Sequence, residues 1–246
     1  METTPTTREA TALTDQKWAE YNEEGYTRLG VVYPEEEIDR LCDRIDEIML
    51  GKVVYPGMMM QKCPSSEEET DETLNYRKIQ DLEQDPVYRA YIQHPLFRHI
   101  SRELIGENIS VFRAMFFNKP ANGGVPLVWH QDGRSWNVDP YPVMTIYTAL
   151  DEATKANGCV QIVPRSDDCP IHTVQEEDDI ASYAPPDKRV FLEMEKGEVV
   201  MFKTRMLHSS LVNTTDKPRR AFSIGFVHAE THHLETGKTY PRVFVD

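Results

Sequence analysis

The sequence predicts an α+β protein in which helices come first and a mainly antiparallel β core follows. Two textures carry this reading. Residues 34–50 and 85–105 place apolar side chains at helical spacing. After residue 108 the chain breaks into short segments rich in β-branched and aromatic residues, divided by Asn-Gly, Lys-Gly and Pro-containing turns. Short strands at such spacing make a β-sandwich or barrel, and helices followed by strands make an α+β order. The 246 residues, 39% of them hydrophobic, suffice for a sizeable core. With no linker in view, residues 1–246 read as a single domain.

Taken in order, residues 1–13 are polar and Thr-rich and read as a flexible tail. Thr14-Asp15 is an N-cap signal for a helix with Trp18 and Tyr21 that stops near Gly25. YTRLGVV (26–32) follows as a short strand. PEEEIDRLCDRIDEIML (34–50) is the clearest helix, with Pro34 at the first helical position and Glu35–Glu37 at the positive end of its dipole. Ile38, Leu41, Ile45 and Ile48 form its one apolar stripe. From Gly51 to Thr73 periodicity fails, and the segment reads as an irregular, mobile loop carrying the run Met58-Met59-Met60. Residues 85–105 are helical again, broken at Pro95 and ended by Gly106. The strand segments are then ISVFRAMFFNKP (109–120), YPVMTIYTAL (141–150), CVQIVP (159–164), RVFLEME (189–195), GEVVMFK (197–203) and RRAFSIGFVHA (219–229).

Forty-one acidic against 27 basic residues give a formal charge of −14. That opposes nucleic-acid binding, which needs a basic patch or stripe. No apolar run is long enough to span a bilayer and no leader-like h-region is present. The four cysteines lack zinc-type spacing and read as reduced thiols of a cytoplasmic protein. The acidic clusters at 67–69 and 175–179 read as solvated loop charge.

VWHQDG (128–133) sets His130 and Asp132 two positions apart at the end of an extended segment, where i and i+2 face the same way. A third histidine would complete a two-His, one-carboxylate set with open positions, the facial arrangement of non-haem Fe(II) oxygenases. By spacing alone His172, His208 and His228 all compete for that place. Arg219, eleven positions after His208 at the start of the next strand, favours His208. A hairpin of that length returns a guanidinium beside the ligand, where it can grip a carboxylate bidentately.

These motifs resemble the phytanoyl-CoA dioxygenase family of Fe(II)/2-oxoglutarate-dependent oxygenases over nearly the whole chain. The match runs through EEGYTRLGVVYPEEEIDRLCDRIDEI, YRKIQDL (76–82), AMFFNKP (114–120), WHQDG (129–133), YTALDEATKANGCVQIVPRSD (147–167) and LHSSLVN…RRAF (207–222). The resemblance implies a double-stranded β-helix, a cupin-like jelly roll, with N-terminal and supporting helices. It also implies Fe(II), 2-oxoglutarate and O2 as cofactor and cosubstrates, with ascorbate supporting activity. His130, Asp132 and His208 would bind iron and Arg219 the distal carboxylate of 2-oxoglutarate, with Arg220 facing the other way. Ser210 would donate a hydroxyl to the same cosubstrate. Lys78, Met115 and Tyr147 match positions lining its pocket, Tyr147 standing where some members carry tryptophan. Gly158 of NGC (157–159) supplies a positive-φ turn.

Halogenating relatives carry a small residue in place of Asp132, so the carboxylate favours hydroxylation or another halide-free oxidation. Decarboxylation of 2-oxoglutarate to succinate and CO2 would accompany it. Met58, Met59, Arg134 and Trp136 are candidates for contact with the prime substrate, with residues 51–73 as the active-site loop. Either Arg113 or Arg134 could pair with an anion. That substrate reads as a small metabolite or natural product, with no nucleic-acid, membrane or obligate protein partner. An acyl-CoA 2-hydroxylase of the phytanoyl-CoA type is the alternative. It is disfavoured because the acidic chain shows no conspicuous cluster for CoA phosphates. A metal-dependent hydrolase and a non-catalytic jelly-roll binder are the rivals from other classes. The first would need neither Arg219 nor Lys78, and the second should lack an intact triad.

Overall fold

The structure is a computed structural model that describes residues 11–64, 74–133, 136–169 and 182–245. Its chain begins with Leu13 buried in the core, so the polar tail ends earlier than its composition suggests. Helix α1 (Asp15–Glu24) is capped by the Thr14 side chain and closed by Gly25 at φ +82. Strand β1 (Tyr26–Val31) and helix α2 (Glu35–Met49) follow. Pro34 proves to be the cap of α2, with extended ψ of 157, and Glu35 the first helical residue. Ile38, Leu41, Ile45 and Ile48 are all buried, as the stripe requires.

The 51–73 segment is not irregular throughout. Met60–Lys62 form strand β2, paired with β3 (Tyr76–Ile79). A three-residue strand at a sheet edge is too short to show alternation in sequence. Helices α3 (Pro86–Ile92) and α4 (Pro95–Ile105) are capped by Asp85 and His94, which accept from backbone N–H groups of their first turns. No helix is long and apolar enough to cross a membrane among the described residues.

The remaining strands are β4 (Ile109–Lys119), β5 (Leu127–His130), β6 (Val138–Asp139), β7 (Met144–Ala149), β8 (Val160–Ile162), β9 (Val190–Phe191), β10 (Glu198–Lys203), β11 (His208–Ser210), β12 (Arg219–His228) and β13 (His232–His233). A seven-stranded sheet in the order β1-β10-β7-β12-β4-β3-β2 lies beside a four-stranded sheet, β5-β11-β8-β9, with the β13-β6 pair apart from both. Every pairing is antiparallel. This is the expected jelly roll with helical support.

Alternation sorts the large sheet into two faces. Ala114, Phe116, Ile146, Val199, Met201, Phe222, Ile224 and Phe226 pack with Ile38, Leu41, Ile45, Tyr88, Ile92 and Phe97 of the helices. Their neighbours Tyr147, Val200, Phe202 and Ala221 turn inward and pack with Cys159 and Ile162 of the small-sheet side. The helix layer therefore seals one face and leaves the other to line whatever lies between the sheets. Ile45 sits at 0% exposure in that seal, so Ile45→Ala should cost about 2–5 kcal/mol in denaturant unfolding. The activity of the protein that stays folded should be unchanged, since no inward-facing side chain is touched.

Candidate metal centre

His130 ends β5, and His208 begins β11. The two are register partners across the antiparallel β5–β11 pair, which closes the long sequence gap between them and sets their rings 4.1 Å apart. The strand stops at His130, so Asp132 is aimed by a turn rather than by strand alternation as the sequence suggests. Gln131 still faces the opposite way, its amide donating to the Ser166 and Cys169 carbonyls at 3.0 Å each. Gly133, at φ +104, permits the turn: a Cβ there would lie 0.9 Å from the Tyr141 hydroxyl. That hydroxyl donates to the Asp132 carbonyl at 2.9 Å.

One donor atom from each of His130, Asp132 and His208 lies within 4.8 Å of the others. Both imidazoles have Nδ1 at 2.8 Å from a backbone carbonyl, of Val128 and Met206 respectively. A carbonyl can only accept, so the ring proton sits on Nδ1 and the Nε2 lone pair is free, the arrangement usual for a metal-ligating histidine. Burial, then the neighbouring His208, pushes His130 down to about 4. It is therefore a neutral ligand at physiological pH. The donor set fits a divalent iron with open positions. Among the described residues no other group of His, Cys, Asp and Glu could hold a metal. His228 stands apart at the end of β12, and His172 lies outside the described residues.

These side chains line a cavity of about 310 Å³ between the sheets, with Lys78, Met115, Tyr147, Ser210 and Arg219 also in its wall. Arg219 is 4% exposed. Its two terminal nitrogens donate to the Tyr147 hydroxyl at 2.6 Å and the Gly158 carbonyl at 2.8 Å, while its buried Nε has no hydrogen-bond partner. It makes no ion pair with a described residue, so a buried guanidinium waits for an anion. Arg220 is on the helix face, forked onto Asp151 at 2.9 Å and near Asp46 of α2 at 3.4 Å. Gly158, at φ +75, does more than turn the chain, because its carbonyl orients Arg219.

The substrate candidates are distributed differently. Met58 packs against the main core. Met59 is 48% exposed, and neither lines the cavity, where Gln61 stands instead. Met60, which opens β2, pairs with Ile79 and packs on the helix-side core, whereas Gln61 pairs with Lys78 on the cavity side. Trp136 is not in the wall but lies under Arg113, its ring centroid 4.0 Å from the guanidinium carbon. Arg134 lies outside the described residues, as do the acidic clusters at 67–69 and 175–179.

Lys119, Phe117 and Phe202 also line the cavity and were not singled out in the sequence. Lys119 donates to the Val125 carbonyl at 2.8 Å. Burial and then the adjacent Arg219 charge push it down to about 8. The available signal was period two along β4: Arg113, Met115, Phe117 and Lys119 share one face.

The family profile described as phytanoyl-CoA dioxygenase matches residues 21–221. The chain belongs to the phytanoyl-CoA dioxygenase family. A probable phytanoyl-CoA dioxygenase of Caenorhabditis elegans is 29% identical over 88% of this chain and 76% of its own. The peroxisomal phytanoyl-CoA dioxygenase of Homo sapiens is 26% identical over 89% of this chain and 70% of its own. Among solved structures, EctD from S. alaskensis with 2-oxoglutarate and 5-hydroxyectoine superposes with a TM-score of 0.76 at 19% identity. That match covers 98% of this chain and 84% of EctD. The protein is thus an Fe(II)/2-oxoglutarate-dependent dioxygenase, using iron, 2-oxoglutarate and O2.

Gly158 offers a test of how the anion end of the cavity is built. A Cβ at this position would lie 2.4 Å from the Leu211 carbonyl oxygen. Gly158→Ala should destabilise the fold by about 1–3 kcal/mol and weaken 2-oxoglutarate binding several-fold, measured by calorimetry on the folded protein. Unchanged affinity would show that the Gly158 carbonyl does not hold Arg219 in its working position.

Proposed function

We propose that this member of the family hydroxylates a small organic metabolite, with His130, Asp132 and His208 holding Fe(II) and Arg219 holding the distal carboxylate of 2-oxoglutarate. The observation that carries the reading is the pairing, in one cavity, of a facial donor set with a buried arginine that has no acidic partner. When bound, iron would activate O2 as the oxidant, one oxygen atom going into succinate as 2-oxoglutarate gives up electrons and CO2, and the other being left to oxidise the substrate.

The chain's own residues do the positioning. The Val128 and Met206 carbonyls hold the two imidazoles so that both Nε2 atoms face the ion. Tyr147, its phenol pushed up by burial and so kept neutral, and the Gly158 carbonyl orient the Arg219 fork. Ser210, buried beside Leu127 and Val160 on β11, offers its hydroxyl to the cosubstrate. Met115, Phe117 and Phe202 make the wall apolar where water must be excluded. At about 310 Å³ the cavity is at the small end of ligand sites and must also hold 2-oxoglutarate, which favours a compact substrate. The formal charge of −14 supports action on a small molecule over any phosphate backbone.

The decisive experiment follows succinate formed from 2-oxoglutarate with Fe(II), O2 and ascorbate across a metabolite panel. His130→Ala, Asp132→Ala and His208→Ala should each abolish turnover and weaken metal binding without unfolding the protein. Arg219→Ala strips a buried charge pair of one member, costing about 3–5 kcal/mol. It should therefore raise the 2-oxoglutarate Kd at least a hundredfold. Arg220→Ala should leave that Kd nearly unchanged and lower stability instead. Succinate formation surviving His208→Ala, or the two arginine variants ranking the other way, would overturn the assignment.

A further inference from the structure

We infer that the prime substrate carries an oxyanion, a carboxylate or a phosphonate, and that Arg113 receives it. The inference rests on the proposed function, because it assigns the second ligand of the same cavity. Arg113 lies on the cavity face of β4 with Met115, Phe117 and Lys119. Its side chain is 23% exposed. The guanidinium sits against two rings, its central carbon 4.0 Å from the Trp136 ring centroid and 5.4 Å from that of Phe112. Such stacking orients the planar fork without using its N–H donors.

Among the described residues those donors have no hydrogen-bond acceptor in range. Arg113 makes no hydrogen bond to a described residue. Its one acidic neighbour is the Asp132 carboxylate at 3.9 Å, beyond hydrogen-bond range and committed to the metal. Lys78 on the neighbouring strand also lacks a hydrogen-bond partner among the described residues, its amine 6.0 Å from the Phe117 ring.

Charge balance points the same way. Among the described residues the wall holds Arg77, Lys78, Arg113, Lys119 and Arg219 against Asp132 as the one carboxylate. Ferrous iron and the 2-oxoglutarate dianion cancel each other, so loading the site leaves that excess intact. Arg77 is exposed and screened by water, but the others are partly or fully buried. In a chain of net charge −14, this concentration of cations calls for a second anion.

That anion is not the cosubstrate. Arg219 is the register partner of Lys119, whereas Arg113 pairs with Gly225. Six residues of β4 separate the two positions, about 20 Å at ~3.3 Å per residue. Arg113 is therefore well away from the Arg219 end and next to the metal ligand Asp132, where the reacting end of a substrate must come.

The test uses the protein loaded with 2-oxoglutarate and Zn(II), which cannot turn over, so the Arg219 end is filled. Ligand-observed NMR compares hexanoate, hexylphosphonate and the neutral hexanamide. At least one anion should bind about tenfold or more tightly than the amide, as a charge-assisted fork predicts, and whichever is preferred identifies the group. Arg113→Gln should reduce that preference to about twofold or less while 2-oxoglutarate and Zn(II) affinities hold.

No detectable anion binding at millimolar concentration, or no preference over the amide, overturns the inference. A preference surviving Arg113→Gln also overturns it, since the anion would then be on the metal or another cation. Weakened Zn(II) binding with the preference intact would make Arg113 a positioning residue for Asp132 instead. Failure of 2-oxoglutarate to bind the Zn(II) protein, read in a separate titration, strikes the proposed function itself and is distinguishable from all of these.

Discussion

The two-faced character of the seven-stranded sheet governs everything else in this molecule. Successive side chains on a strand point to opposite sides, so a strand that packs on helices must send every second residue the other way. Phe222 and Ile224 join the helix-side core, and Arg219, Ala221 and Ser223 are thereby directed between the sheets. The helix-side core is tightly packed from aliphatic and aromatic side chains, so it sets the register firmly. A slip of one residue would bury Arg220 in place of Arg219 and expose the core.

Within that frame, the metal centre depends on close backbone approaches that only glycine allows. Tyr141 fills the space where a Cβ of residue 133 would be, and the Leu211 carbonyl does the same at residue 158. The first shapes the turn that presents Asp132. The second brings a carbonyl to the Arg219 guanidinium. Both replace a side chain with a hydrogen-bonding group and so convert tight packing into orientation. The cross-strand pairing of His130 with His208 supplies the remaining alignment.

The electrostatics of the interior run against those of the whole chain. The net charge of −14 repels polyanions, while the cavity gathers cations from strands far apart in sequence. Burial lowers Lys78, Lys119 and Arg113 from their ordinary values, and the nearby Asp132 only partly offsets it for Lys78 and Arg113. Such groups are costly in an empty site and favourable once anions arrive. The cavity thus stores in its wall part of the affinity it later expresses.

Much of this was legible in the chain itself. The helical stripe of 34–50, the cap at Thr14, and the change to β texture after residue 108 all reflect local propensity, which sequence carries directly. WHQDG and the spacing of His208 to Arg219 likewise marked the side chains that meet in the cavity as the proposed metal ligands and cosubstrate clamp. Strand β2 was missed because three residues cannot show a period. That Met58 and Met59 stand outside the cavity wall was not legible, because an apolar run does not reveal which way its side chains face. The cationic wall was legible only in part. Lys78, Arg113 and Arg219 stood out one by one, but Arg77 and Lys119 look like ordinary surface charge in a −14 chain, and nothing in the sequence shows that the five share one wall. Sequence by itself determined which residue types can ligate, cap and alternate, because those are properties of single residues and short spacings. Only the tertiary structure decided which charges meet, because cross-strand register, with Arg219 opposite Lys119 and His208 opposite His130, is set by packing over distances that no local pattern encodes.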